Sequence, residues 1–324
     1  MIKKILNLIN EKNNILLSSH VNPDGDSVGS LTALGLSIES MGKKVTLYNE
    51  SPIPAVYRFL PATDRIVSSF NNPGMFDAVI ILDCSDMERV GDSAPLILKI
   101  PEIINIDHHI TNTKFGTARL IDVKACSTAE IVYRLIKKMG IAITKTIATS
   151  IYTGILTDTG SFRFSNTNKK AFLICKEMVE CGVDPSYVAQ NVYGPFSLGR
   201  LKLLNLALDS LEISENGKIS IMTLTKEMFE ETGTQPEDTD GFLNYGRNIK
   251  DIQVAAMIHQ NGNSGLKAGG KGNYHVSLRS DGFVDVAAIA SRYGGGGHKS
   301  AAGFSTCMTI REIKENIFKL AKTL

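Results

Sequence analysis

Residues 78–109 read AVIILDCSDMERVGDSAPLILKIPEIINIDHH. Two short apolar runs, AVIIL at 78–82 and IINI at 103–106, each end in an aspartate, Asp83 and Asp107. Runs of roughly four to eight apolar residues that stop at a polar one are the mark of buried parallel strands, covered on both faces. The polar groups then stand where each strand leaves the sheet.

Working outward, ILLSS at 15–19 and KVTLY at 44–48 read as further strands of the same sheet. Between them a helical pattern runs from Ser27 to Met41 and closes on Gly42, a residue suited to a helix C-terminus. Helical patterns also cover about 127–139, 144–158, 168–181 and 185–191. Strands alternating with helices predict an α/β domain with a parallel sheet. MIKKILNLINEKNN at 1–14 reads as a short amphipathic helix, because Asn7 and Asn10 interrupt its apolar run before a signal-peptide core can form.

The chain has 324 residues, and at roughly 150 residues per domain this predicts two domains. Composition shifts at YGPFSLG, 193–199, so the expected division is an N-terminal domain over 1–194, a linker helix over 195–210 and a smaller α/β domain over 211–324. In the last, LEIS and KISIMTL flank Glu215-Asn216-Gly217, a hairpin signal. Strands are expected at 254–259 and 274–279, and helices at about 238–246 and 285–293. The spacing of Thr309 to Glu312 fits a capping box opening a final helix. NGNSGLKAGGKGN at 261–273, with five glycines, reads as a hairpin tip.

Charged residues make up 21% and hydrophobic ones 43%, which is ordinary globular material and excludes a disordered or collagen-like chain. No apolar stretch approaches the roughly 18 residues of a membrane span, so a cytoplasmic protein without a membrane partner is expected. The net charge of +2 argues against a protein that grips long nucleic acid by counterion release. Five cysteines, at 84, 126, 175, 181 and 307, contain no CxxC pair and read as reduced structural thiols.

The chemistry gathers at the expected strand ends. The first is followed by His20-Val-Asn-Pro-Asp24-Gly-Asp26, the AVIIL strand by Asp83, and the IINI strand by Asp107-His108-His109. Asp158 closes the helix at 144–158. Each alone has a plainer reading: Asp24 or Asp26 as a helix cap, Asp83 as a turn residue, Asp158 as a surface charge, a lone histidine as structural. Together they point to the crevice at the carboxyl ends of an open α/β sheet. Asp24, Asp26, Asp83 and Asp158 at close range repel one another strongly, so either some protonate or cations sit between them. Two divalent ions would balance the charge, with His20 and His108 supplying nitrogen ligands. A mixed carboxylate–imidazole set suits Mn²⁺, with Mg²⁺, Co²⁺ or Zn²⁺ as substitutes.

A second constellation lies near the other end, SLRS at 277–280 and GGGGHKSAAGF at 294–304. Four glycines exceed what a helix stop needs and do not read as core packing. They give a backbone that approaches a ligand closely, with N–H groups able to cradle an anion. His298 directly behind them and Arg279 on a neighbouring strand strengthen the reading of a phosphate site.

The motifs HVNPDGD (20–26), ILDCSD (81–86), DHH (107–109), TDTGSF (157–162), SLRS (277–280) and GGGGHKSAAGF (294–304) closely resemble the DHH phosphoesterases that carry a DHH-associated C-terminal domain. The compact layout is similar to the bacterial bifunctional oligoribonuclease and pAp phosphatase group. The resemblance implies a cleft between the domains and a two-metal hydrolase of short oligoribonucleotides and 3′-phosphoadenosine 5′-phosphate (pAp). It puts His20, Asp24 and Asp83 on one metal and Asp26, Asp83, His108 and Asp158 on the other, with Asp83 bridging. Asp107 would orient an imidazole and His109 would face the scissile phosphate. Arg279, His298 and the backbone of Gly295, Gly296 and Gly297 would hold substrate phosphate.

Two alternatives stay open: hydrolysis of pApA in cyclic-di-AMP breakdown, and a nucleotide-binding module without catalysis, whose mark would be a missing metal ligand. None is missing. The oligomeric state stays open, a homodimer included. His259 and His275 read as structural or surface residues, and Cys84 as a packed apolar group. Arg89 and Arg163 read equally as phosphate contacts or surface ion pairs. With no tryptophan, base stacking falls to Tyr, Phe or His.

Overall fold

The structure is a computed structural model that describes residues 2–194, 196–260 and 274–321, with all their side chains except those of Glu237 and His298. The glycine-rich stretch at 261–273 lies outside the described residues. The chain divides into two compact units, Met1–Pro195 and Phe196–Leu324.

In the first unit α1 (Ile2–Glu11) buries Ile5 and Ile9 and leads into β1 (Asn14–Ser19). Then follow α2 (Gly25–Glu39), β2 (Lys44–Tyr48), β3 (Ala78–Leu82), α3 (Ala94–Ile97), β4 (Ile103–Asp107) and β5 (Ala118–Ile121). Four helices complete it: α4 (Thr128–Met139), α5 (Lys145–Asp158), α6 (Lys169–Glu180) and α7 (Pro185–Tyr193). The sheet runs β2-β1-β3-β4-β5 with every pair parallel. Alternate residues feed two cores, as expected of a doubly covered strand. Ile15, Leu17, Ile80 and Leu82 join the cluster under the helices, whereas Leu16, Val79 and Ile81 pack with Tyr48, Phe76 and Ile97 on the other face.

β5 has no counterpart in the sequence reading. Only Ala118 of its four residues is buried, because an edge strand needs one covered face and so lacks a continuous apolar run.

This strand order reverses between β1 and β3, the point where the chain leaves β1 for opposite sides of the sheet and where ligands of open α/β sheets bind. Pairing of Ser19 with Leu82, and of Leu82 with Ile106, brings His20, Asp83 and Asp107 to one level at the strands' carboxyl ends. Beside them α2 packs tightly on α5: a Cβ at Gly29 would stand 2.5 Å from the Ser150 carbonyl, and one at Gly154 would stand 2.9 Å from Asp26 Oδ1.

The second unit comprises α8 (Leu198–Asp209), β6 (Glu212–Ile213), β7 (Ile219–Leu224), α9 (Lys226–Thr232), α10 (Phe242–Arg247), β8 (Val254–Gln260) and β9 (Tyr274–Ser280). α11 (Val286–Ser291), β10 (Gly296–His298), β11 (Ala301–Thr306) and α12 (Ile310–Leu320) follow. Its mixed sheet runs β10-β11-β9-β8-β7-β6, with only β7 and β8 parallel. The expected capping box at Thr309 and Glu312 is present. One core, with Ile221, Ala256, Val276 and Ile289, lies on one face, and α8 and α10 cover β7 and β8 on the other.

The GGGGHKSAAGF segment is a strand hairpin rather than a free loop. Gly295 and Gly297 have a packing reason of their own, which corrects the expectation for these two: a Cβ at Gly295 would stand 2.2 Å from the Gly303 carbonyl, and one at Gly297 2.5 Å from that of Ala301. Gly296 meets nothing within 4 Å.

Candidate functional site

His20, Asp24, Asp26, Asp83, Asp107, His108, His109 and Asp158 converge at the β1/β3 switch point. Three sets of potential ligand atoms each lie within 4.8 Å of one another: His20, Asp24 and Asp83; Asp26, His108 and Asp158; and Asp83, His108 and His109. Asp83 belongs to two of them. Its carboxylate is 3.6 Å from His20 Nε2 and 3.7 Å from both His108 Nε2 and His109 Nδ1. His108 Nε2 is also 3.6 Å from Asp158 and 4.0 Å from Asp26.

The backbone around these groups is tightly specified. Asp83 adopts φ 54°, a left-handed conformation that a non-glycine residue keeps only when its surroundings impose it. Its N–H donates to the Ile106 carbonyl at 3.0 Å. Asp24 caps α2 through a bond from Ser27 N–H at 2.9 Å, so the plain reading of that residue holds alongside its place in the cluster. After Asp158, Ser161 and Phe162 are both left-handed. Arg163 Nε fastens that turn to the Gly160 carbonyl at 2.7 Å, while Asn166 Nδ2 donates to the Asp158 carboxylate at 3.2 Å.

Three contributions were invisible in the sequence reading. The first backbone N–H groups of α4 hold the buried Asp26, Thr128 N–H at 2.6 Å and Ala129 N–H at 2.8 Å, placing a carboxylate at the positive end of a helix. The Thr128 hydroxyl donates to Asp83 at 2.9 Å. Asn112 Nδ2 donates to Asp107 Oδ2 at 2.6 Å, and the other Asp107 oxygen is 2.6 Å from His109 Nδ1. The only available signals were Ser127, a helix N-cap type, and an asparagine five residues past Asp107.

Electrostatics separates the carboxylates. Burial first, then repulsion from Asp83 and Asp158, holds Asp26 well above the usual range. Burial and the charges of Asp83 and Asp24 push Asp158 up to about 7, against the pull of His108. Asp24 is raised as well, by desolvation and by Asp83. Asp83 moves the other way: burial opposes its charge, but the bond to His20 and the fields of the three imidazoles outweigh it. Burial likewise opposes charge on His109, yet the bond to Asp107 and the field of Asp83 raise it to about 9. None of Asp24, Asp26, Asp83 and Asp158 pairs with a lysine or arginine among the described residues. Crowded oxygen donors with interleaved imidazoles fit divalent cations.

Arg89 makes no ion pair among the described residues; its Nη1 reaches Ser85 Oγ at 3.4 Å and its carbonyl receives the Val21 N–H at 2.8 Å. The five cysteines are free thiols, and no helix of the described residues is long and apolar enough to cross a membrane.

In the second unit Arg279 sits on β9, half-buried, with Nη1 on the Leu278 carbonyl at 3.0 Å. Ala301 pairs with Arg279 on one side and with His298 on the other, so one row of the sheet holds both positions.

Residues 14–155 match the DHH family, N-terminal domain, and residues 216–323 match the DHHA1 domain. The chain is 32% identical over 293 residues to the bifunctional oligoribonuclease and PAP phosphatase NrnA of Thermus thermophilus, spanning 89% of this chain and 83% of that relative. It is 27% identical over 309 residues to the Bacillus subtilis protein of the same name, spanning 93% and 92%. An exopolyphosphatase-related protein from Bacteroides fragilis has a similar structure, with TM-score 0.91, 26% identity and coverage of 99% and 96%. Exonuclease RecJ bound to manganese shares the fold at TM-score 0.54 and 14% identity, over 98% and 92% of the two chains. The chain belongs to the DHH family, with a DHHA1 domain following its DHH domain.

Proposed function

We propose that the protein is a two-metal phosphoesterase that hydrolyses short oligoribonucleotides and pAp to mononucleotides. The observation that carries this reading is the position of Asp83, grouped with His20 and Asp24 on one side and 3.7 Å from His108 on the other, where His108 is itself grouped with Asp26 and Asp158. The names of the relatives from Thermus thermophilus and Bacillus subtilis support the substrate class. His20, Asp24 and Asp83 would hold one ion, and Asp26, Asp83, His108 and Asp158 the other, with Mn²⁺ preferred. When bound, such ions activate water for attack on phosphorus and neutralise charge on the phosphoryl oxygens.

The remaining work falls to the chain's own side chains. Thr128 and the α4 N-terminus fix the angle of Asp83 and Asp26 and leave their other lone pairs for ligands. Asn112 holds Asp107, which stays ionised and accepts from His109 Nδ1. The bond to Asp107 would orient His109 and hold its imidazole where negative charge grows on the phosphoryl group. Arg279, His298 and the 295–297 backbone would bind phosphate from the second unit, a planar guanidinium gripping two oxygens at once. The division into a catalytic domain over 1–194 and a substrate domain over 211–324 belongs to the same proposal.

Hydrolysis of pAp, pApA and RNA of two to ten nucleotides, measured side by side with Mn²⁺, tests the reading. Turnover of pAp and of the shortest RNAs, declining with length, is expected. Turnover of pApA alone would move the function to cyclic dinucleotide breakdown, and turnover of none would leave a binding module.

A further inference from the structure

One face of the second sheet has two unlike halves. Over β7 and β8 it carries Met222, Leu224, Ala255 and Met257, all buried against α8 and α10. Register continues the same face across β9 through Arg279, Ser277 and His275, and across β11 through Ala301, Gly303 and Ser305. None of these six is buried. The face therefore changes from sealed and apolar to partly accessible and more polar.

An imidazole pair stands at one end of the more polar half. His259 pairs with His275 across β8 and β9, their ring centroids 5.1 Å apart. His275 Nδ1 is 3.2 Å from Ser305 Oγ. Its ring leans over Gly303, where a Cβ would come within 3.1 Å of Nε2. His259 Nδ1 is sealed from water and has no hydrogen-bond partner among the described residues. An apolar side chain at 259 would serve the packing better, so the described fold gives no reason for an imidazole there. Burial lowers both groups, His259 to about 4, so at neutral pH the pair is uncharged. Neutral aromatic rings on a sheet face that also carries an arginine suit a nucleobase, which stacks on any flat π surface whatever its sequence. Arg279 and His275 are four residues apart on one strand, about 14 Å. A phosphate at one and a base at the other therefore belong to different nucleotides.

We propose that His259 and His275 form a nucleobase subsite for a nucleotide beyond the one whose phosphate meets Arg279. The assignment of this ligand rests on the proposed hydrolase function. It makes the pair a length-sensing element, engaged by oligonucleotides and passed over by pAp.

The test compares wild type, His275→Ala and His275→Phe on pAp and on RNA trinucleotides, with KM and kcat separated. His275→Ala should raise KM for trinucleotides about tenfold, the scale of one lost base stack, with kcat within about twofold and pAp kinetics unchanged. His275→Phe, which keeps a flat ring, should restore most of the trinucleotide affinity. Unchanged trinucleotide KM, or an equal loss on pAp, would overturn the subsite. Calorimetric binding of a trinucleotide needs no turnover and separates the two claims. A protein that hydrolyses neither substrate yet binds trinucleotide through His275 would refute the hydrolase reading and leave the subsite standing.

Discussion

In the first unit Asp26 accepts two backbone N–H bonds and Asp83 a hydroxyl, both within 3 Å and both buried. In the second, Arg279 bonds only the carbonyl of its own neighbour among the described residues, on a half-buried stretch of sheet. The contrast is physical. Carboxylates crowded together need some fixed hydrogen bonds to set their orientation while other lone pairs stay available for ligands. A guanidinium proposed to receive a variable ligand keeps its other N–H donors available. On the proposed reading the first site is overcharged and tightly held, and the second would be the accommodating one.

The largest break of this comparison is Asp83→Ala. Removing the carboxylate shared by two donor sets should lower kcat at least about 10³-fold, roughly 4 kcal/mol. The fold should survive, since repulsion among the remaining carboxylates falls. Circular dichroism with single-turnover kinetics checks both. Retention of more than about a tenth of wild-type kcat contradicts the shared-ligand role.

Arg279→Lys probes the accommodating site. Loss of the two-pronged grip should reduce kcat/KM on pAp and dinucleotides about 10- to 100-fold, with metal content per chain unchanged. A parallel loss of metal would erase the distinction between the two sites.

A smaller effect is expected from Thr128→Val, which removes the hydroxyl on Asp83 but keeps the backbone bonds to Asp26. Manganese affinity should weaken about tenfold, as for other groups that orient a ligand. Titration of the metal-free protein measures it, and unchanged affinity would make Thr128 a mere helix residue.

The mildest prediction concerns pH. Without metal, Asp158 at about 7 and His109 at about 9 bind protons more tightly folded than unfolded, and Asp24, Asp26 and His20 are raised in the same direction. Their contribution is present at low pH and is lost as pH rises through those values. Asp83 and Asp107 shift oppositely, but their window lies below the ordinary carboxylate range. Metal-free Tm should therefore fall by at least about 5 °C between pH 5.5 and 8.5, and by less with Mn²⁺ present. A flat metal-free curve would show that the carboxylates are not crowded.

The strand-end residues were legible because β1, β3 and β4 are buried on both faces and so stand out as apolar runs that stop at His20, Asp83 and Asp107. What holds those residues in place was not. The bonds from Thr128 and Ala129 to Asp26 come from backbone N–H groups, which any residue type supplies. Asn112 lies in a polar loop that reads like solvent-facing chain. β11 is not legible because AAGFST has a single large apolar residue, Phe304, and its strand character comes from pairing with β9. Pairing of β10 with β11 gives Gly295 and Gly297 a packing role that a glycine run does not announce.

The most direct test of the central claim measures metal content and activity on the same preparations, before and after exhaustive chelation. About two divalent ions per active chain are expected, with loss of turnover on their removal and its return with Mn²⁺ in step with occupancy. Full activity on pAp or dinucleotides in protein shown to contain no metal would contradict the claim.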